Sequence, residues 1–273
     1  MTGESMIIGG REFDLDNETY IMGILNITPD SFYDGARYDT VDKALSQAEK
    51  MISEGADVID VGGMSTRPGH RDVGGEEELQ RVTPVIREIR KHFDIPISID
   101  TYRSDVAEGA LSAGADMVND IWGGLFGDGR MAYTIAKYNV PCCLMHNDTS
   151  DVTSVDGVIA GLMRCVGHAR DCGVNRKNII IDPGIGFAKD APLNLRVIRE
   201  LHRFSSLNYP VLLGASNKSV IGYALGLPAG ERLECTLAVT AYAALRSHIS
   251  FLRVHDVKEN VRVLKMLDAI KNA

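Results

Sequence analysis

The chain has 273 residues, 45% hydrophobic and 24% charged, a balance that suits one large α/β domain or two small ones with a well-filled core. A formal net charge of −8 argues against general nucleic-acid binding, and no apolar run approaches the roughly 20 residues a membrane helix needs. The N-terminus, MTGESMIIGGREFDLDNE, has no basic stretch leading into an apolar run, so a secretory leader is not expected and the cytoplasm is the expected compartment.

In chain order, residues 6–15 (MIIGGREFDL) read as a hairpin turning at Gly9-Gly10 and suited to closing the lower end of a barrel. Short apolar runs then alternate with helix-patterned stretches. Strands are expected at YIMGILNI, DVIDVGG, PISID, DMVNDI, PCCLM, IIIDPG, VLLGAS and FLRVHD, starting near residues 20, 57, 96, 116, 141, 179, 211 and 251. Helices are expected over 40–54, 76–91, 103–113, 129–138, 153–172, 191–204, 229–247 and 257–270. The first carries Val41, Ala44, Leu45, Ala48 and Ile52 on one face and stops at Gly55. Most strands are apolar throughout, as parallel strands covered on both faces are. Eight strand–helix units indicate a single (β/α)8 TIM barrel over residues 1–273, since no linker or composition shift divides the chain; a doubly wound open sheet is the alternative. The five cysteines form no CxxC and read as reduced structural thiols.

In such a barrel the chemistry sits at the C-terminal ends of the strands. Polar residues recur there: Asn26, Asp60, Asp100, Asn119, His146 with Asn147, Asp182, Ser216 with Lys218, and Arg253 with His255. Any one of them is also an ordinary turn former or helix cap, so the argument rests on their convergence on one mouth. Asp100, Asn119 and Asp182 can pair with the edge of a flat, nitrogen-rich ring. A divalent-metal carboxylate site is the competing reading, and the absence of any HxH or HxxxH pair counts against zinc. Arg67, Arg253 and His255 suit a phosphate or diphosphate, although Arg67 also reads as a solvated loop charge. In GASNKSVIG, residues 214–222, Lys218 and Ser219 stand where a helix begins and would attract a carboxylate or ring carbonyl. A Schiff-base role is disfavoured, because Lys218 follows its strand rather than projecting from it. There is no GxxxxGK[ST] phosphate loop and no dinucleotide-type GxGxxG after a strand.

The ordered motifs MGILNITPDSF at 22–32, GGMSTRPG at 62–69, SIDT at 98–101, ND at 119–120, DPGIGF at 182–187, SNKSVIG at 216–222 and RVHD at 253–256 resemble those of dihydropteroate synthases over essentially the full length. That resemblance implies a transferase joining 6-hydroxymethyl-7,8-dihydropterin diphosphate to 4-aminobenzoate, with release of pyrophosphate and the help of Mg2+. It implies that Asp60, Asp100, Asn119, Asp182 and Lys218 bind the pterin, and that Asn26, Thr66, Arg253 and His255 meet the diphosphate. Asn26 would also bind the metal. Phe32, Arg67, Pro68, Phe187 and Ser219 would form the aminobenzoate site. Asp100, Lys218, Arg253 and His255 would act in catalysis. The stretches 28–39 and 64–75 suit loops that close over the substrates. A homodimer is expected from the resemblance and the apolar C-terminal helices. Pterin-binding methyltransferases and a non-catalytic pterin binder are the rival readings; the former share the barrel but lack TPDSF and STRPG. Three positions depart from the commonest family pattern: Met64 for Glu, Ala188 for Gly and Asn217 for Arg. Met64 is expected to pack inward, Ala188 to add a methyl near the aminobenzoate wall, and Asn217 to remove a charge beside the pterin.

Overall fold

The structure, a computed structural model, describes residues 5–27, 37–64, 73–147 and 152–273. The eight expected barrel strands all form. They are β3 (Tyr20–Asn26), β4 (Val58–Gly62), β5 (Ile97–Asp100), β6 (Met117–Asp120), β7 (Cys142–Met145), β8 (Ile179–Asp182), β9 (Leu212–Leu213) and β10 (Phe251–Val254). They pair in parallel in the order β8-β7-β6-β5-β4-β3-β10-β9, and a parallel bridge between Ile181 and Val211 joins the two ends into a nearly closed barrel. The open doubly wound sheet is thereby excluded.

Helices α1 (Arg37–Glu54), α2 (Gly75–His92), α3 (Ser104–Ala113), α4 (Met131–Tyr138), α5 (Val155–Asp171), α6 (Ala191–Arg199), α7 (His202–Ser205), α8 (Ser219–Leu225), α9 (Leu233–Arg246) and α10 (Val257–Lys271) surround the barrel. In α2, Glu76, Glu77 and Glu78 open the helix and Arg90, Lys91 and His92 end it, matching the helix dipole at both ends. Two expected helices differ in extent. The 191–204 stretch breaks after Arg199 into α6 and α7, and the 229–247 stretch starts with a single 3-10 turn at Ala229–Glu231 before α9.

The strands alternate strictly, although their sequences read as uniformly apolar. In β4, Ile59 and Val61 join the core beneath the helices, whereas Val58 points into the barrel. In β5 the outward pair is Ile97 and Ile99, and in β8 it is Ile179 and Ile181. The inward positions low in the barrel are filled by Met22, Val58, Met117, Cys143, Ile180, Leu212 and Phe251. One level up, the inward positions become polar, and this switch creates the site.

Below the barrel, β1 (Ser5–Ile8) and β2 (Arg11–Asp14) form the expected antiparallel hairpin. Gly9 and Gly10 both have positive φ, 58° and 81°, as a two-residue primed turn requires. The hairpin inserts Met6, Ile8 and Phe13 against the lower barrel layer, with Phe13 edge-on to Tyr20 at 4.7 Å. Each such buried side chain contributes roughly 1.5–3 kcal/mol before entropy is counted.

Candidate active site

Register sets the site's geometry. Asp100 pairs with Gly62 on one side and Asn119 on the other, Asn26 pairs with Gly62, and Met145 pairs with Asp182. The neighbouring inward positions therefore carry acids, amides and a glycine that keeps room above them. A Cβ on Gly62 would lie 3.5 Å from Asp100 Cβ and 3.4 Å from Asn26 Oδ1. A second glycine, Gly214, leaves space beside Lys218 Nζ and Asp182 Oδ2, 3.7 and 3.8 Å from its would-be Cβ. Asp60, Asp100, Asn119, Asp182, Lys218 and Arg253 thus share one mouth.

A single guanidinium ties the acids together. Arg253 Nε donates to Asp60 Oδ2 at 2.6 Å and Nη2 donates to Asp100 Oδ2 at 2.5 Å, while Asn119 Nδ2 donates to the same Asp60 oxygen at 3.1 Å. Asp60 is wholly buried, and among the described residues its other oxygen, Oδ1, has no hydrogen-bond partner. Burial pushes the Asp100 carboxyl up to about 7 against the pull of Arg253. Burial works to lower the Arg253 guanidinium, and the charges of Asp60 and Asp100 outweigh it, so its cation is held above its usual range. Asp182 is raised by burial and opposed by Lys218, and its Oδ1 accepts from Gly184 N at 2.7 Å.

Lys218 occupies the N-cap of α8, donates to the Ile185 carbonyl and lies 4.5 Å from the centre of the Phe187 ring. Burial lowers its ammonium to about 8 in spite of Asp182. His255 and Ser216 hold each other: the His255 backbone N–H donates to Ser216 Oγ at 3.2 Å, and Nδ1 lies 3.0 Å from that oxygen. The hydroxyl can bond both groups at once, which fixes the orientation of the His255 ring.

Phe32, Thr66, Arg67 and Pro68 lie outside the described residues. Asn26, Asp60, Asp100, Asn119, Asp182, Phe187, Lys218, Arg253 and His255 lie within them, as does Ser219, which is exposed at the start of α8. His146 does not face the mouth. A Cβ on Gly161 of α5 would fall 2.3 Å from its Nε2, so the ring is turned into the helix layer. Asn147 is half-buried at the same strand end. Asn217 also points away from the pocket, with Nδ2 donating to Asp256 at 3.1 Å and Oδ1 accepting from Thr236 at 3.3 Å. Met64 is half-buried with Sδ 3.7 Å from Arg103 Nη1, and Ala188 adopts φ 46°, a conformation in which its methyl is costly.

Two features were not legible beforehand. Asp120, the second residue of ND, folds the loop after β6 by accepting from Trp122 N at 2.8 Å and Gly124 N at 2.6 Å, and burial lifts it to about 6. Lys189 looks like a loop charge yet is half-buried with its ammonium turned inward onto backbone carbonyls, and burial lowers its amine to about 8. Among the described residues, no three His, Cys, Asp or Glu side chains are grouped as a metal cage. No helix there is long and apolar enough to cross a membrane.

The pterin-binding enzyme family model matches residues 22–255. A dihydropteroate synthase from Clostridium beijerinckii is 51% identical over 97% of this chain and 99% of its own length. Among solved structures, a Clostridium difficile dihydropteroate synthase crystallised in the presence of pteroic acid superposes with a TM-score of 0.90 at 48% identity, covering 94% of this chain and 98% of that one. The Xanthomonas albilineans enzyme with 4-aminobenzoic acid gives 0.93 at 36%, covering 100% of each. The chain belongs to the pterin-binding enzymes and, within them, to the dihydropteroate synthases, transferases of folate biosynthesis.

Proposed function

We propose that this mouth condenses 6-hydroxymethyl-7,8-dihydropterin diphosphate with 4-aminobenzoate, through the residues named below. The observation that carries the reading is the convergence of Asp100, Asn119, Asp182 and Lys218 around one buried pocket with Arg253 across it. Asp182 and Asn119 take the N–H and carbonyl edge of the pterin, and Lys218 reaches the ring from the side. Asp100, with Asp60 beneath it, faces the exocyclic methylene. As the carbon–oxygen bond to diphosphate stretches, positive charge spreads into the pterin and these carboxylates stabilise it. Negative charge grows on the diphosphate, which meets Arg253, His255, Asn26 and Thr66. Two of the Arg253 N–H groups are used by Asp60 and Asp100, and a guanidinium has five, so others remain for the anion. The arylamine is a neutral nucleophile, so attack needs no strong base. Phe187, Ser219, Phe32, Arg67 and Pro68 hold it and exclude water.

Asn26 fits a hard divalent cation: it offers a carboxamide oxygen at the rim, on the opposite side of Gly62 from the Asp100 carboxylate. With so few protein ligands at hand, substrate oxygens and waters would complete the shell, the usual pattern for Mg2+. When bound there, Mg2+ would supply charge neutralisation to the leaving diphosphate. The exposed Leu245, Met266 and Ile270 on α9 and α10 support a homodimer, and the composition supports a cytoplasmic location. The deciding experiment is pyrophosphate release with and without 4-aminobenzoate. Release that depends on the amine, and that falls at least about a hundredfold in Asp100→Ala or Lys218→Ala, is expected from loss of key transition-state contacts. Pterin binding without pyrophosphate release would instead favour the methyltransferase-like or non-catalytic readings.

A further inference from the structure

We propose that Lys189, with Asn194 beside it, is a positioning residue that sets the aminobenzoate-facing wall of the pocket; this rests on the role given to Phe187 above. The loop between Asp182 and Asp190 turns its carbonyls toward two buried ammonium groups. Lys189 Nζ donates to Gly184 O at 2.8 Å and Phe187 O at 2.9 Å, and reaches His146 O at 3.5 Å. Lys218 takes the Ile185 carbonyl between them. The His146 carbonyl directly follows β7, so the Lys189 ammonium staples that strand end to the loop after β8.

Asn194, buried in α6, secures the same loop from behind. Its Oδ1 accepts from Gly186 N at 2.7 Å, and its Nδ2 donates to the carbonyls of Lys189 at 3.1 Å and Asp190 at 2.9 Å. The fit is close: a Cβ on Gly184, at φ 71°, would fall 2.6 Å from His146 O and 3.1 Å from Lys189 Nζ. An ammonium suits the position because it carries three donors and no acceptor. A side chain without them would leave inward-facing carbonyls unpaired, at a cost the loop relieves by moving.

The consequence falls on one substrate more than on the other. The backbone of Asp182 is fixed in β8 by its pairing with Met145, whereas Phe187 is carried by the loop itself and lies against the Lys218 ammonium. Movement of the loop therefore displaces the Phe187 ring more than the acid that meets the pterin, whose backbone stays in the sheet and which loses at most its bond from Gly184 N. A purely structural lysine would lower stability and affect both substrates alike.

Steady-state kinetics of the full chain with each substrate varied separates the two. For Lys189→Met, KM for 4-aminobenzoate should rise about tenfold or more, the scale of a displaced contact surface. KM for the pterin diphosphate should stay within about twofold, the pattern of selectively lost binding. Lys189→Gln keeps one donating group and should fall between Met and wild type. Asn194→Ala should show the same split by an independent route, and both of these variants carry the test should Lys189→Met fail to fold. The proposal is overturned if the aminobenzoate KM is unchanged in variants that melt near wild type, or if both KM values rise together. A dead pocket in the wild-type protein would sink the assignment of function instead, which keeps the two failures apart.

Discussion

Replacing Arg253 with Met tests the electrostatic core of the site. The guanidinium bonds Asp60 at 2.6 Å and Asp100 at 2.5 Å, and neither acid has another cation bonded to it among the described residues. Breaking a buried pair by removing one partner costs about 3–5 kcal/mol, because an uncompensated charge stays inside. For a chain of this size that is a fall in Tm of roughly 5–9 °C. The penalty depends on pH, and its sign follows from Asp100. The folded carboxyl sits at about 7, above its unfolded value, so the folded state holds the proton more tightly. Stability from this group is therefore full at low pH and is lost as pH rises through 7. Removing Arg253 takes away the influence that holds Asp100 down and extends the loss to higher pH. Thermal melts of Arg253→Met and wild type should thus differ less at pH 5.5 than at pH 8.5, and Asp60→Asn added to the variant should recover part of the deficit. A penalty equal at both pH values, or larger in acid, would refute the reasoning.

Three further outcomes follow from the same geometry. The Lys218 ammonium, lowered to about 8, loses its proton through that pH, so kcat/KM for the pterin diphosphate should fall on the alkaline side with an apparent pKa near 8; in Lys218→Arg that limb should vanish, and its persistence would exclude Lys218 as its source. Asn26→Ala should raise the Mg2+ concentration needed for half-maximal turnover, read by titrating the metal into chelator-treated enzyme, with pterin affinity in the absence of metal unchanged. Gly9→Ala forces a left-handed residue against Asp116, which cannot yield because Arg90 and the Ile97 N–H hold it. It should cost about 1–2 kcal/mol in denaturant melts while leaving kcat intact.

Much of this architecture was legible in the residues. Strand starts near 20, 57, 96, 116, 141, 179, 211 and 251 agree with the observed strands to within a residue, because each apolar run is short and closed by a turn former. The hairpin was legible from Gly9-Gly10, since two successive positive φ values have few other uses. Strand-end polarity located the mouth but not the direction of each side chain. His146 follows β7, one residue past the inward-facing Met145, and period-two alternation turns it into the helix layer. Asn217 is diverted by Asp256 and Thr236, partners from distant parts of the chain that no local pattern announces. Lys189 was missed because an interior ammonium is made by backbone carbonyls, and carbonyls leave no trace in a sequence.

The pocket's grip on the pterin is the claim on which the rest stands, and a crystal soaked with the pterin diphosphate measures it directly. Asp182 and Asn119 should lie at hydrogen-bond distance from the ring, about 3 Å, with Arg253 in contact with the diphosphate. A ring bound elsewhere, or bound in the mouth with Asp182 and Asn119 turned from it, would contradict the account.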